Sequence, residues 1–455
     1  MPKVLISDEL SQAAIDIFKA RGLEVDFKPG LKKDELLKII GAYDGLAVRS
    51  NTKATQEVIA AATNPKVLGR AGIGVDHIDI PAATSKGIVV MNTPFGNSIT
   101  TAEHAIALMF AAARQVPEAN VSTQAGKWEK NRFMGRELYA KTLGLIGCGN
   151  IGGIVADRAL GLKMKVVAYD PFLSHDRAVQ IGVEKVDLDE LLMRADIISL
   201  HTPLTDKTRN ILSRENLAKT KRGVIVVNAA RGGLVDEAAL REALESEHVA
   251  AAAFDVFTIE PAKENVLFGA PNFIATPHLG ASTNEAQENV ALQVAEQMSD
   301  YLLTGAVTNA LNMPSITAEE APRLKPFAAL AEKLGAFAGQ IVDEGLDEVA
   351  IEYEGDVTRL NMKPLTAAAL AGILRPLLQD VNMVSAPALL KERGAPLTES
   401  TRDDSPTYDS LVRVKVKTGG GWRTLAGTLV AGQPRIVEVK GMSLETQSPA
   451  IKLYT

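Results

Sequence analysis

Three glycines in one short turn carry the clearest chemical signal in this sequence. Gly147, Gly149 and Gly152 follow the apolar run 143–146 and precede a helical pattern. In a Gly-x-Gly-x-x-Gly turn the first glycine permits the tight bend and the second lets the backbone approach a pyrophosphate. The third lets the helix pack close to the strand. Unpaired N–H groups at the start of the helix then face the phosphate charge, so the pattern predicts a dinucleotide site.

An acidic residue at the end of the next predicted strand favours one dinucleotide over the other. Asp170 follows the apolar run 166–169 and precedes Pro171. A carboxylate at this place accepts hydrogen bonds from ribose hydroxyls and repels the 2′-phosphate of NADP. The alternative is that Asp170 only begins a turn. NAD is therefore the expected cofactor, with Asn150 and Ile151 completing its loop.

Two histidines lie where a base for hydride transfer from a hydroxy acid would be needed. In doubly wound sheets such groups follow the carboxyl ends of strands, and His201 and His278 both follow apolar strand patterns. Spacing alone does not choose between them, although Gly280 and a helix start follow His278. The other four histidines are weaker candidates. His77 lies near a strand end of the first domain, and His104 lies inside a long helix, where packing is the expected role. His175 and His248 lie in polar segments that are expected at the surface.

An arginine and a glutamate complete the candidate chemistry. Arg231 follows the strand pattern 224–227 and precedes two glycines, and a guanidinium there can bind a carboxylate through two hydrogen bonds. A surface arginine at a helix cap is the alternative. Glu260 lies in a loop after the fifth strand of the second set, and a carboxylate close to a histidine would raise its pKa. From the residues alone, an exposed loop position explains Glu260 equally well.

The elements that must position these residues alternate between short strands and helices. In residues 1–96 this alternation predicts a parallel sheet with helices on both faces. Its strand patterns are 4–6, 46–48, 67–69 and 88–90, and its helix patterns are 11–20, 33–40 and 55–62. A strong helix pattern at 101–114 precedes six further strand patterns, the number in a full dinucleotide-binding sheet: 143–146, 166–169, 197–200, 224–227, 251–254 and 273–275.

A third region differs in texture. A helix pattern at 285–303 is followed by a predicted linker that contains Pro314 and Pro322. Helix patterns at 328–341 and 366–378 then precede strand patterns at 411–416, 424–430 and 435–439, with a glycine turn at 419–421. This region is predicted to be α+β. Arg413, Lys415 and Lys417 share one strand face, which motivates a hypothesis that the region binds a small anion; a solvated edge face is the alternative.

Length and composition exclude several classes of protein. A chain of 455 residues suggests about three domains. With 49 basic and 55 acidic residues the net charge is −6, so neither nucleic acid nor a membrane surface is an expected partner. A single cysteine, Cys148, cannot form an internal disulfide, and the N-terminus is typical of a strand and not of a signal peptide. The cytoplasm is the expected location, and no metal site is expected.

Three blocks resemble the signatures of the D-isomer-specific 2-hydroxyacid dehydrogenases. They are residues 229–236, residues 254–257 with Glu260 and Pro261, and residues 277–283. The resemblance implies that Arg231 binds the substrate, that Glu260 supports the histidine, and that His278 is the acid/base, in preference to His201. It also implies contacts with NAD from these further positions: Ile73, Thr202, Ala229, Ala230, Arg231, Asp255, His278, Leu279, Gly280 and Ala281.

The first domain resembles the branch of this family that oxidises 3-phosphoglycerate. The similar segments of this domain are 49–52 and 69–79, although His77 stands where the branch usually has asparagine. Segment 128–135, outside this domain, is similar to the interface segment of the same branch. The resemblance implies that Arg49 serves the substrate phosphate and that Ser50, Asn51 and the backbone near Gly72 bind the carboxylate, together with Arg231 and His278. The expected reaction is the NAD-dependent oxidation of D-3-phosphoglycerate to 3-phosphohydroxypyruvate, the first step of phosphorylated L-serine biosynthesis.

The same resemblance predicts the domain organisation and the assembly. Residues 1–98 and 285–312 would form a flavodoxin-like substrate domain, 99–284 a Rossmann NAD domain, and 315–455 the extra regulatory domain of longer relatives. The chain stops where a serine-sensing ACT domain normally begins, so a form without that domain is expected. Segment 128–135, with its Trp, Phe and Met, predicts a homodimer or homotetramer. The alternatives are a dehydrogenase acting on glycerate, glyoxylate or lactate, and an NADH-sensing corepressor-like scaffold.

Overall fold

The structure is a computed structural model that describes residues 1–317, 319–342, 345–378, 381–419 and 421–447. The chain divides into two compact units. Unit 1 comprises Met1–Thr93 and Val290–Thr455, and unit 2 comprises Pro94–Asn289. Within the described ranges, none of the helices has the length and apolar character needed to cross a bilayer.

Unit 1 begins with a five-stranded parallel sheet. Its order is β2-β1-β3-β4-β5, the flavodoxin-like order, which agrees with the predicted fold class. The edge strand β2 was not predicted, because its exposed and half-buried residues form no apolar run. The strands are β1 (Lys3–Ile6), β2 (Glu24–Phe27), β3 (Gly45–Val48), β4 (Val67–Arg70) and β5 (Val89–Met91), and the helices are α1 (Gln12–Ala20), α2 (Lys33–Ile39), α3 (Gln56–Ala61) and α4 (Ile80–Ser85).

Unit 2 contains a seven-stranded parallel sheet in the order β12-β11-β10-β9-β6-β7-β8. Counted from its own first strand, this is the 3-2-1-4-5-6 order of dinucleotide-binding sheets with one strand added. The predicted number of six was wrong because the edge strand β8 has only two residues, both exposed. The strands are β6 (Thr142–Ile146), β7 (Lys165–Tyr169), β8 (Glu184–Lys185), β9 (Ile197–Leu200), β10 (Val224–Asn228), β11 (Val249–Phe254) and β12 (Phe273–Ala275).

Helices cover both faces of this sheet, which explains why its central strands are almost entirely apolar. The helices of unit 2 are α5 (Ser98–Arg114), α6 (Val116–Gln124), α7 (Asn150–Gly161), α8 (His175–Gln180), α9 (Leu188–Arg194), α10 (Arg214–Ala218) and α11 (Glu237–Glu245), and α12 (Asn284–Thr304) begins in unit 2 and continues into unit 1. Short 3₁₀ turns lie at Ile40–Ala42, Lys130–Arg132 and Asp356–Arg359.

The remainder of unit 1 is an α+β region with a six-stranded sheet in the order β14-β13-β15-β16-β17-β18. Its strands pair antiparallel except for β13 and β14, which are parallel. The elements are α13 (Ala321–Gln340), β13 (Glu348–Gly355), α14 (Met362–Leu374), α15 (Ala386–Glu392), β14 (Leu397–Arg402), β15 (Ser410–Thr418), β16 (Gly421–Val430), β17 (Gln433–Val439) and β18 (Met442–Gln447).

Several predicted bounds in this region were wrong. Helix α13 begins at Ala321, since Pro322 lies in its first turn, where proline is tolerated because the N–H would be unpaired in any case. Helix α14 ends at Leu374, four residues earlier than predicted. The predicted glycine turn includes residue 420, which is outside the described residues. Three strands, β13, β14 and β18, were missed because polar residues interrupt their apolar patterns.

The cations of β15 have acidic partners within the sheet. Arg413 Nη1 lies 2.6 Å from Glu354 Oε1 and 3.0 Å from Glu352 Oε2, and Arg413 Nη2 lies 3.3 Å from Glu438. Lys415 pairs with Glu352, and Lys417 Nζ lies 3.6 Å from Glu348. The antiparallel register places β13 carboxylates opposite β15 cations, so the face is paired across strands. This strand face therefore gives no support to the hypothesis that the region binds a small anion, which stays a hypothesis.

Candidate active site

The glycine turn leaves open space at the start of α7. A side chain at Gly147, whose φ is +95°, would place its Cβ 2.5 Å from the carbonyl oxygen of His201. At Gly152 a Cβ would lie 2.3 Å from the Gly147 oxygen. Gly149, by contrast, is the N-cap of α7, and a Cβ there would meet no atom within 4 Å. The turn is therefore tightly packed at Gly147 and Gly152 and open at Gly149, which fits the binding of a dinucleotide pyrophosphate beside Gly149.

Two backbone hydrogen bonds orient the Asp170 carboxylate beside this turn. Cys148 N–H donates to Asp170 Oδ2 and Phe172 N–H donates to Oδ1, both at 2.8 Å. Asp170 thus shapes its own turn, as the alternative interpretation held, and also faces the glycine turn. Each oxygen keeps acceptor capacity, which fits a ribose. Burial raises the pKa of the Cys148 thiol to about 11, so this cysteine stays protonated at neutral pH.

His201 is poorly suited to act as the base. Its ring is buried, Nε2 lies 2.8 Å from Ser199 Oγ, and burial lowers its pKa to about 4. The His201 carbonyl packs against Gly147 of the glycine turn. Thr202, which follows, is half-buried and lies beside the same turn. Asn150 is exposed and Ile151 is half-buried at the start of α7.

His278 and Glu260 form a hydrogen-bonded pair after β12 and β11. His278 Nδ1 lies 2.7 Å from Glu260 Oε2, and Glu260 Oε1 accepts a hydrogen bond of 2.9 Å from Phe257 N–H. The hydrogen bond that His278 donates to Glu260 raises the pKa of His278, against the effect of burial. Burial favours a higher pKa for Glu260, but the bonds from His278 and Phe257 outweigh it and lower that pKa. About half of the His278 side chain (51%) is exposed.

Arg231 lies after β10, the strand beside β11. A Cβ at Gly232 would lie 1.9 Å from the Phe257 oxygen, so only glycine lets the arginine loop approach the loop of Glu260 so closely. Buried Asn228 shapes the bend: its amide donates to the Arg231 carbonyl, and its oxygen accepts from Ala230 N–H. The positive charge of Arg231 contributes to lowering the pKa of Glu260 and also opposes the rise in the pKa of His278.

The other predicted cofactor residues of unit 2 lie at the same carboxyl edge of the sheet. Ala229 is buried and Ala230 half-buried after β10, whereas Leu279 is exposed, Gly280 buried and Ala281 half-buried after β12. Asp255, directly after β11, is fully buried. Burial favours a higher pKa for Asp255, but hydrogen bonds from His104, Thr276 and Leu279 N–H lower it. Its predicted contact with NAD stays a prediction.

The remaining histidines differ partly from expectation. His104 was expected only to pack within its helix, but its Nε2 lies 3.2 Å from Asp255 Oδ1. His175 is exposed, as expected for a surface residue. His248 was expected at the surface and is instead half-buried, with Nε2 2.9 Å from the Leu217 carbonyl oxygen.

Asp8, which the sequence pattern did not single out, organises one predicted substrate loop of unit 1. Its carboxylate is buried and accepts hydrogen bonds from Arg49 N–H (2.6 Å) and Thr52 N–H (3.1 Å). Ser50 and Asn51 are exposed between these two anchors, and the Arg49 side chain is half-buried. A carboxylate two residues after the end of β1 was the available signal, since the carboxyl ends of neighbouring parallel strands lie together.

Arg70, also not singled out, covers the second predicted loop of unit 1. Its guanidinium donates to the Ala71 carbonyl at 2.9 Å and occupies the space that a side chain at Gly72 would need. Gly72 N–H donates to Thr93 Oγ1, and the Ile73 carbonyl accepts from Asn92. Burial and the nearby Arg70 charge lower the pKa of His77, so its ring is neutral at physiological pH.

Comparisons with known proteins agree on one family. The family profile of the D-isomer specific 2-hydroxyacid dehydrogenase NAD binding domain matches residues 106–280. The profile of the D-3-phosphoglycerate dehydrogenase intervening domain matches residues 323–440. A D-3-phosphoglycerate dehydrogenase of Archaeoglobus fulgidus is 46% identical over 439 residues, which are 96% of this chain and 83% of the relative. One from Synechocystis is 43% identical over 100% of this chain and 82% of its own length. Among solved structures, a glyoxylate reductase from Paecilomyes thermophila has a TM-score of 0.64 at 31% identity, covering 68% of this chain and 98% of the reductase.

Proposed function

The chain belongs to the D-isomer-specific 2-hydroxyacid dehydrogenases and, within them, to the D-3-phosphoglycerate dehydrogenases, and on this premise we propose which of its residues carry the reaction. The chain is an NAD-dependent oxidoreductase, and its reaction is the oxidation of D-3-phosphoglycerate to 3-phosphohydroxypyruvate. The single observation that carries the assignment of roles is the His278–Glu260 hydrogen bond, which engages Nδ1 of a side chain that is about half exposed (51%).

His278 is the base of the oxidation. A carboxylate only accepts hydrogen bonds, so Glu260 holds a proton on Nδ1 and leaves the Nε2 lone pair of the neutral ring for the substrate hydroxyl. As the hydroxyl proton moves to Nε2, the charge that develops on the imidazole is stabilised by Glu260. Nicotinamide, when bound, supplies the acceptor for the hydride that leaves C2, and the C–O bond becomes a carbonyl.

Arg231 binds the substrate carboxylate and polarises the developing carbonyl. The tight contact at Gly232 and the hydrogen bonds of Asn228 support this role, because they fix the arginine loop beside the loop of Glu260. The turn at Gly147, Gly149 and Gly152 holds the pyrophosphate at the start of α7, and Asp170 accepts the ribose hydroxyls. Arg49, Ser50, Asn51 and Gly72 in unit 1 are also proposed as substrate-binding residues.

A turnover assay tests these roles. NADH formation from D-3-phosphoglycerate should exceed that from glycerate or lactate, and His278→Ala should lower kcat by about 10²–10⁴-fold while NADH binding persists. His175→Ala, at an exposed histidine, is the matched control and should retain turnover. A larger loss in His201→Ala than in His278→Ala would show that the wrong histidine was assigned.

We further propose three functional domains: substrate binding by 1–98 and 285–312, NAD binding by 99–284, and regulation by 315–455. The three separate sheets support this division. We also propose a homodimer or homotetramer, since segment 128–135 exposes Trp128 (87%) and Met134 (77%). A cytoplasmic location is proposed, because a substrate with a carboxylate and a phosphate does not cross membranes unaided and because the single cysteine needs no oxidising compartment.

A further inference from the structure

We propose that Thr101 and His104, one turn apart on helix α5, are positioning residues that hold the loop of the acid/base histidine in its reactive conformation. The proposal rests on the role of His278 given above and goes beyond it. It concerns the part of the chain that carries His278, and it assigns a task to a histidine for which the sequence indicated only packing.

The loop after β12 needs such support because of its backbone. His278 has a φ of +57°, in the left-handed region that is unfavourable for a residue with a Cβ. Its N–H donates to the Asp255 carbonyl at 2.9 Å. The Asp255 carboxylate accepts hydrogen bonds from residues before and after His278 in the sequence. The donors are Thr276 Oγ1 at 2.6 Å, Leu279 N–H at 2.7 Å and Gly280 N–H at 2.8 Å. The orientation of His278 therefore depends on where this carboxylate lies.

Helix α5 contacts this arrangement at two points. His104 Nε2 lies 3.2 Å from Asp255 Oδ1 and 3.3 Å from Thr276 Oγ1. Since a carboxylate only accepts, Nε2 carries the proton of that contact. One helical turn earlier, Thr101 Oγ1 lies 2.9 Å from the Gly280 carbonyl oxygen. The two side chains share one face of α5, as residues three apart do.

Burial makes the His104 contact consequential. Asp255 is fully buried, so water cannot replace a lost donor, and a buried carboxylate with too few donors is costly. Without His104 the carboxylate would shift toward its remaining donors, and these are the loop backbone and Thr276. His278 would then move relative to Glu260, which lies on a different loop. The expected consequence is a weaker 2.7 Å contact and a poorly placed base.

The test compares His104→Leu with His104→Gln, whose side-chain amide can restore the donor, and with His175→Leu as the exposed control. We expect His104→Leu to lower kcat by about 10–100-fold, as small misplacements of reacting groups do, with a smaller change in KM. His104→Gln should recover most of the loss, and His175→Leu should match the parent enzyme. Thr101→Val, which keeps the shape and removes the hydroxyl, should also lower kcat.

The pH profile separates positioning from general stability. His278 is faced by Glu260, Asp255 and Arg231. If the contact of His278 with Glu260 loosens, the pKa of His278 falls, and the rise of the oxidation rate with pH should move to lower pH in His104→Leu.

Equal losses of kcat in His104→Leu and His104→Gln with an unshifted pH profile would overturn the proposal. Full activity in both His104→Leu and Thr101→Val would also overturn it. If His104→Leu fails to fold, Thr101→Val and His104→Gln decide. Full turnover of His278→Ala would instead refute the role proposed for His278, on which this inference rests.

Discussion

The two ring nitrogens of His278 serve different purposes at the residue scale. Nδ1 is fixed by Glu260, and Nε2 is proposed to take the proton of the substrate hydroxyl. Because the hydrogen bond to Glu260 raises the pKa of His278 above its ordinary value of about 6.5, the ring is protonated to a higher pH than a free histidine. Oxidation needs the neutral ring, so its rate rises as pH passes upward through this raised pKa.

Glu260→Gln removes the carboxylate that raises the pKa. We therefore predict that the rising limb of the oxidation rate shifts to lower pH and that the maximal kcat falls by about 10²-fold, because the charged imidazole loses its partner. Steady-state rates from pH 5 to 9 measure both effects. Glu264→Gln, a nearby change at an exposed loop residue, is the control. A limb that stays in place would mean that Glu260 does not set the pKa of His278.

Asp170 is the residue that should separate NAD from NADP. In Asp170→Ala the repulsion of a 2′-phosphate is lost, together with two acceptors for backbone N–H groups. We predict that the ratio of kcat/KM for NAD over NADP falls at least about tenfold, or about 1.4 kcal/mol. Asp176→Ala, at an exposed carboxylate in the first turn of α8, should leave the ratio unchanged. An unchanged ratio in Asp170→Ala would show that Asp170 only shapes its turn and does not select the cofactor.

At the scale of elements, β15 illustrates how strand register determines what a charged side chain does. Arg413 joins carboxylates of β13 and β17, and its side chain is only 19% exposed. Burial favours a higher pKa for Glu352, but the bonds from Lys415 and Arg413 lower it below the usual range. Its contribution to stability is therefore present above the unfolded pKa of about 4.3 and is lost as pH falls through the folded value.

Arg413→Leu should destabilise this sheet. We predict a loss of about 1.5–3 kcal/mol at pH 7, because three carboxylates remain close together without their shared cation. The difference from the parent protein should narrow below about pH 4, as Glu352 becomes protonated. Calorimetric unfolding at about pH 3 and pH 7 measures this. Arg402→Leu, on the exposed edge strand β14, should change little. Equal effects of the two substitutions would contradict the role given to Arg413.

At the scale of the whole molecule, the segment that follows α6 exposes apolar side chains of unusual size. Trp128, Met134 and Tyr139 are between 69% and 87% exposed. Large exposed apolar groups in sequence proximity are typical of interfaces between protein chains. They support the proposed homo-oligomer through the NAD-binding domain.

Sedimentation equilibrium tests this assembly. We predict a dimer or tetramer at micromolar concentration and a shift toward monomer in Trp128→Ser. The other tryptophan provides the control: Trp422 lies on β16, where its ring contacts Lys417, and Trp422→Ser should leave the oligomeric state unchanged. A parent protein that is monomeric at micromolar concentration would exclude the proposed assembly.

Local sequence patterns determined the glycine turn and the buried strands of this protein. The glycine turn is specified by steric requirements within a few residues, and the strands buried on both faces are specified by continuous apolar runs, so both were predictable. Edge strands were not, since β2 and β8 have exposed or half-buried residues and resemble loops in composition. Their existence depends on hydrogen bonds offered by a neighbouring strand that is distant in the sequence.

Only the tertiary structure decided which polar residues meet. The pairing of Arg413 with three glutamates depends on strand register, which no single strand encodes. His104 resembled a packing residue because its helix is largely apolar, and its contact with Asp255 arises only when α5 packs beside the end of β11. A charge or hydrogen-bond partner is determined by proximity in space, whereas periodicity reports only which face of an element is buried. For this reason the sequence predicted the motif residues and the elements with clear apolar patterns, and the fold alone determined the contacts that orient them.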